Sequence, residues 1–351
     1  MKVAELVVRC LENESVERIF GVPGEENIDV MDALLDSSID FITTRHEQGA
    51  AFMADVCGRL TGKAGVCLST LGPGATNLVT GVADANMDRA PVVAVAGQAS
   101  TTRMHKESHQ YYDLVELFSP ISKFSTSIIT PEIVPEVIRK AFKQAEAEKP
   151  GVSFVELPEN IAQADAEPDA RPLKVQSAVV PAPPDAKVAQ AAEVISNAKY
   201  PIVMAGNGVI RHRASDELAA FAEKLNLPVA TTFMAKGAIP FSPSHSLGTV
   251  GLQSRDYVAC GFDRADVIIC VGFDMVEYSP SLWHQDADRK IVHIDSMPAE
   301  VDKHYILEVG VTGCIADALN RIADQDRPHE KFLAEGLRKT IVEELSQHQE
   351  S

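Results

Sequence analysis

Apolar residues in this chain alternate between two rhythms. Short continuous runs, such as Gly65-Val66-Cys67-Leu68-Ser69, Pro91-Val92-Val93-Ala94-Val95-Ala96 and Val152-Ser153-Phe154-Val155, have the length of buried strands. Between them, apolar positions recur at helical spacing. Over residues 1–164 this predicts helices at 3–14, 25–37, 46–60, from about 75, and at 131–147. Strands are predicted at 17–20, just before Arg45, and at 65–69, 91–96, 123–127 and 152–157. Runs that are apolar throughout, rather than at every second residue, belong to strands covered on both faces. Alternation of such strands with helices predicts a parallel sheet between two helical layers.

Residues 165–184 break the rhythm with Pro168, Pro172, Pro181, Pro183 and Pro184, and read as an extended linker. The alternation then resumes, with helices at 185–197, 215–225 and 315–323 and strands at 202–205, 228–231, 266–271 and 290–294. The fold class expected is therefore α/β, with two doubly wound parallel-sheet domains at 1–164 and 185–328. Residues 329–351 read as a charged tail or the start of a further linker.

A length of 351 residues suits two domains, or three small ones, and 45% hydrophobic residues can fill their cores. The net charge of −18 argues against nucleic acid or an anionic membrane as partner, since both attract basic surfaces. No apolar run approaches the length of about 18 residues that a membrane span needs. The N-terminal segment Met1-Lys2-Val3-Ala4-Glu5-Leu6 starts like an amphipathic helix and not like a signal peptide. The six cysteines include no CxxC pair, and Cys67 and Cys270 lie within apolar runs, so a reduced, cytoplasmic protein is expected.

In open parallel sheets, ligands bind beyond the carboxyl ends of the strands. Four candidate elements fall there: Val22-Pro23-Gly24, Glu47, Gly72-Pro73-Gly74 and Gly97-Gln98. Gly72 and Gly74 allow a ligand close to the backbone, Pro73 stiffens the loop, and Asn77 can aim an amide from the first helical turn. Taken singly, Gly72-Pro73-Gly74 reads equally well as a tight turn, and Glu47 as a helix-capping acid. The residues after Glu47, namely Gly49, Ala50, Ala51, Phe52, Met53 and Ala54, suggest instead a helix start packed in a closed environment. Neither a Walker loop nor GxGxxG is present. Gly206-Asn207-Gly208 could face a dinucleotide, with a plain strand-end turn as the alternative. His105 and His109 have the spacing of helical metal ligands, but a surface or substrate-loop role is the better reading.

The strings FGVPGEEN, TTRHEQGAAFMA, STLGPGATNLVTGVADANMDRAPVVAVAGQ and KPGVSFVELPEN resemble the N-terminal pyrimidine-binding domain of thiamine-diphosphate-dependent decarboxylases. The likeness is nearer to acetolactate synthase large subunits. The strings AGNGVIR, ADVIICVGFDMVEYSPSLW and KIVHIDSMPAEVDKHY resemble that family's Rossmann-like central domain. The resemblance implies that Glu47 hydrogen-bonds the aminopyrimidine ring nitrogen of thiamine diphosphate. It places Pro23, Gly24, Gly72, Pro73, Gly74 and Asn77 around that ring, and Gln110 near the reacting centre. It implies decarboxylation of pyruvate, transfer of the two-carbon unit to a second 2-keto acid to give 2-acetolactate, and a homodimer or tetramer with shared active sites.

Family members hold the diphosphate and Mg²⁺ through Gly-Asp-Gly followed by Asn-Asn, and neither string occurs here. No metal ligand is therefore assigned, and the chain is expected to be inactive alone, as a fragment or the partner of a separate diphosphate-binding chain. FAD, which biosynthetic members carry, is left open. Lys149-Pro150-Gly151 and Glu159-Asn160 depart from their pattern, and Gly272-Phe273-Asp274-Met275-Val276-Glu277-Tyr278 looks more like the flavin-independent, catabolic type. The alternatives are another 2-keto acid decarboxylase or carboligase, a non-catalytic module of the same fold, and a nucleotide-binding oxidoreductase, against which the lack of GxGxxG counts.

Overall fold

The computed structural model describes residues 1–176, 179–241, 245–251, 258–286, 288–329 and 332–349. Positions 177–178 of the expected linker, and 330–331 and 350–351 of the expected tail, lie outside the described residues. The chain divides into two compact units, Met1–Ala178 and Val179–Ser351.

The first unit is built on six parallel strands: β1 (Arg18–Gly21), β2 (Asp40–Thr43), β3 (Gly65–Ser69), β4 (Val92–Gln98), β5 (Phe124–Ser127) and β6 (Val152–Pro158). Their order is β2-β1-β3-β4-β6-β5. The central strands β3, β4 and β6 are buried at every residue, as their continuous apolar runs require. Helices Val3–Asn13 and Val134–Glu146 cover one face through Leu6, Leu11, Ile138 and Phe142. Helices Glu47–Thr61 and Pro73–Met87 cover the other through Ala50, Ala54, Leu78 and Val82. Small residues let these two helices approach closely: a Cβ added at Gly81 would lie 2.6 Å from Ala51 Cβ. Phe118 and Phe154 stack beside them with ring centroids 4.0 Å apart.

The second unit has strands β7 (Pro201–Ala205), β8 (Val229–Thr232), β9 (Ser246–Val250), β10 (Val267–Val271), β11 (Lys290–Asp295) and β12 (Leu307–Thr312), all parallel. The order is β12-β11-β10-β7-β8-β9. Counted from its own first strand, this is the 3-2-1-4-5-6 arrangement of dinucleotide-binding folds. Two of these strands escape the sequence pattern. β9 and β12 are the edges, interrupted by Gly248 and Gly310, and only partly buried.

Each half of the proline-rich segment is tied to its own unit. Ala166 N donates to Met1 O at 3.0 Å, and Cys314 N donates to Pro181 O at 2.9 Å. The expected charged tail is instead a helix, Phe332–Gln349, whose Ile341 is 2% exposed and joins a core cluster of the second unit. His105 and His109 lie in turns rather than on one helix, so their spacing does not bring them onto a shared face. Among the described residues, no helix is long and apolar enough to cross a membrane.

Candidate active site

In the first unit the chain leaves β1 for β2 on one side and later returns to β3 on the other. The loops that follow β1 and β3 therefore diverge and open a crevice at the strand ends. Of the four strand-end elements, Val22-Pro23-Gly24, Glu47, Gly72-Pro73-Gly74 and Gly97 border this crevice, and Gln98 does not.

Thr70, the first residue after β3, sits at the centre. Its hydroxyl donates to Glu26 Oε2 at 2.5 Å. A Cβ added at Gly24 would lie 2.5 Å from Thr70 Cβ, and one at Gly74 would lie 2.8 Å from Thr70 Cγ2. Glycine at both positions is thus required by close approach. The Gly24 N–H donates to Asn27 Oδ1 at 3.0 Å, which fixes the loop after β1. Pro23 and Pro73 are exposed at the rim.

Glu47 is the first residue of its helix and only 8% exposed. His46 caps that helix by accepting from Gln48 N at 3.2 Å, so the cap is His46 and Glu47 is free for another role. Asn77, one turn into the helix Pro73–Met87, donates Nδ2 to Glu47 Oε2 at 2.9 Å. Oε1 has no hydrogen-bond partner among the described residues, and a Cβ at Gly74 would lie 3.4 Å from it. One carboxyl oxygen is anchored and the other faces the glycine loop.

Gly72 has φ +57°, and a Cβ there would meet Gln110 Cβ at 2.6 Å. Gln110, itself at φ 55° and exposed, closes against the loop from the polar segment after β4. Gly97 backs onto the same crevice, where a Cβ would lie 2.7 Å from Glu26 O. Gln98 points elsewhere. Its amide is fully buried, donating to Glu156 Oε2 at 2.8 Å and Tyr112 O at 3.0 Å. Burial raises the Glu156 carboxyl above its usual range, and the Gln98 amide opposes that shift.

Sequence reasoning missed Thr70 and Glu26. Glu26 directly follows Gly24-Glu25, and Thr70 stands between a strand and a glycine loop. Neither position breaks a periodicity, and only the meeting of three loops gives them a role.

The pyrimidine half of thiamine diphosphate fits this crevice. An aminopyrimidine needs a buried carboxyl with an oxygen to spare, and Glu47 provides it beside the glycine loop at Gly74. No cluster in the crevice has the ligand set of a metal centre among the described residues. FAD fits the second unit poorly. The Asn207 N–H, which opens the helix after β7, donates to the Glu277 carboxyl at 3.1 Å.

Residues 1–117 match the model "Thiamine pyrophosphate enzyme, N-terminal TPP binding domain", and residues 188–322 match "Thiamine pyrophosphate enzyme, central domain". A probable acetolactate synthase large subunit of Methanocaldococcus jannaschii is 37% identical over 330 residues, covering 92% of this chain and 55% of the relative. A catabolic acetolactate synthase of Raoultella terrigena is 37% identical over 323 residues, covering 92% of this chain and 57% of the relative. An acetolactate synthase of Bacillus subtilis is 36% identical, covering 91% and 56%. The chain spans about half the length of the curated relatives it matches.

Proposed function

This chain belongs to the thiamine pyrophosphate enzymes, whose N-terminal and central domains it carries, and from that membership we propose that it serves an acetolactate-synthase-type carboligase. In this reading residues 1–164 form the pyrimidine-binding domain and 185–328 the central domain, joined by the linker 165–184. Pyruvate is the donor, a second 2-keto acid the acceptor, and 2-acetolactate the product. Thiamine diphosphate, when bound, supplies the carbon nucleophile and the electron sink for this chemistry.

The chain's own residues act on placement and proton control. Asn77 holds Glu47 by Oε2, so that Oε1 is presented at a fixed position to the pyrimidine ring nitrogen. A carboxyl so buried would hold that nitrogen by a hydrogen bond shielded from bulk water. Gly24 and Gly74 would border the cofactor, and the Glu26–Thr70 hydrogen bond keeps the Thr70 side chain between the two glycine loops. Pro23, Gly72 and Pro73 shape the rim, where Gln110 stands next to the reacting centre.

Neither Gly-Asp-Gly nor Asn-Asn occurs in these residues. The proposal therefore assigns the diphosphate and Mg²⁺ ligands to residues outside them, across the interface of a cytoplasmic homodimer or tetramer. The observation that carries the reading is the anchored, buried Glu47 facing a glycine loop. In an assay where the diphosphate-binding region is present, pyruvate is converted to 2-acetolactate. Glu47→Gln lowers kcat by about 10²-fold or more, the range of a lost acid–base group. Full activity in the Gln variant overturns the assignment.

A further inference from the structure

The second unit has its own strand-end crevice, and its contents differ. The strand order reverses between β7 and β10, the position at which dinucleotides sit in sheets of this order. The loop after β7 is Gly206-Asn207-Gly208, and the loop after β10 is Gly272-Phe273-Asp274. In a dinucleotide site such glycines let the ligand's pyrophosphate approach the backbone.

Here the two loops approach each other. Gly208 N donates to Gly272 O at 2.8 Å, and Gly206 N donates to Val271 O at 2.8 Å. A Cβ at Gly208 would lie 2.6 Å from Gly272 Cα, and one at Gly206 would lie 2.5 Å from Gly272 O. The glycines serve a backbone-to-backbone contact.

Glu277 completes the closure. It is 4% exposed, and its carboxyl accepts from Asn207 N at 3.1 Å and from Asp274 N at 3.1 Å. The Thr232 hydroxyl, at the end of β8, hydrogen-bonds it as well. One side chain therefore gathers donors from the ends of β7, β8 and β10. A pyrophosphate entering here would have to displace a buried carboxyl from three partners and pry open a pair of loops already in contact. Each hydrogen bond lost to a buried carboxylate weakens binding by about tenfold or more. Three give on the order of a thousandfold, before the loops separate.

We propose that Glu277 is an internal carboxyl that closes the dinucleotide crevice of the second unit, so that this unit holds neither a flavin nor a nicotinamide dinucleotide. The inference concerns the second unit alone and does not rest on the reaction proposed above.

Two measurements test it. The protein is purified and denatured, and the supernatant is assayed for flavin. The native protein is then titrated with FAD and with NAD by equilibrium dialysis. No released flavin and no saturable binding up to millimolar ligand are expected. Stoichiometric flavin or saturable binding overturns the closure and leaves the carboligase reading untouched. Separately, Glu277→Ala removes the carboxyl and leaves the two amides and the hydroxyl facing a gap. Its melting temperature should fall, and added formate should raise it again by filling the gap. Wild-type protein, with the place taken, should not respond. A variant indifferent to formate overturns the role given to the carboxyl. If that variant fails to fold, the wild-type titrations still decide the matter.

Discussion

Glu277 makes a pH prediction of definite sign. Burial pushes its carboxyl up from 4.5 to about 7, against the hydrogen bonds from Thr232 and the amides of Asn207 and Asp274, which favour the charged form. Its charged neighbour Asp274 raises it further and is itself paired with the Arg211 guanidinium at 3.5 Å. A carboxyl raised in the folded state contributes stability that is complete below about pH 4.5 and lost as pH climbs through about 7. A change of about 2.5 units corresponds to about 3 kcal/mol, taken as a ceiling. Glu277→Gln cannot titrate. It has a lower baseline, because its amide N–H₂ faces other donors, but that baseline does not vary with this group.

The assay is urea unfolding at steps from about pH 5 to about pH 8, followed by fluorescence of Trp283. This is the only tryptophan in the chain, and it is 5% exposed within the second unit. Its indole N–H donates to Tyr278 O at 3.2 Å, next to Glu277 in the chain, so the signal reports on the right unit. His245 and His329 of that unit, both lowered by burial, tilt the wild-type and variant curves equally. The wild-type advantage over Gln should shrink by up to about 3 kcal/mol across the range. A constant difference refutes the reasoning.

Two further outcomes follow from the first unit. Asn77→Asp sets a second carboxyl where the amide lies 2.9 Å from Glu47 Oε2. Two such charges about 4 Å apart repel by about 4 kcal/mol at an effective dielectric of 20, and the partial exposure of Asn77 reduces this to about 2 kcal/mol. Melting curves should show Asn77→Asp matching Asn77→Ser near pH 4 and falling behind it by pH 8, and equal stability at both ends contradicts the contact. Gly97→Ala forces a Cβ to within 2.7 Å of Glu26 O and 2.9 Å of its carbonyl carbon. Backbone must shift, so denaturant unfolding should show a loss of about 2 kcal/mol, and an unchanged midpoint would be incompatible with the packing described.

The legible regions of the fold are those in which burial is one-dimensional. β3, β4 and β6 lie between two helical layers, so every residue is apolar or small and the run announces itself. β9 and β12 border only one neighbour each, and their mixed residues carry no such run. The helix Phe332–Gln349 was hidden for a related reason. Leu337 and Ile341, four residues apart, meet the core, and the charged residues around them dominate any window. In the site, Glu47, Gly74 and Asn77 could be read because each stands at a strand end or first turn, where position alone suggests a ligand. Thr70 and Glu26 could not, because their importance lies in a contact spanning 44 positions of sequence.

The two crevices show why strand-end glycines are ambiguous in sequence. Both units reverse strand order next to their first strand, and both place glycine-bearing loops at that reversal. What the missing Cβ atoms face separates them. At Gly24 and Gly74 they face the Thr70 side chain and, for Gly74, the free Glu47 oxygen. The backbones there remain apart, with a polar side chain between them that other groups can address. At Gly206 and Gly208 they face the Gly272 backbone. The same residue type thus makes room for a polar side chain in one crevice and for backbone in the other. The acids divide in the same way: Glu47 has one anchored oxygen and one without a described partner, whereas both oxygens of Glu277 accept from Asn207 N at 3.1 Å. An acid with a free oxygen has something to offer a ligand, and one satisfied on both has become a piece of the wall.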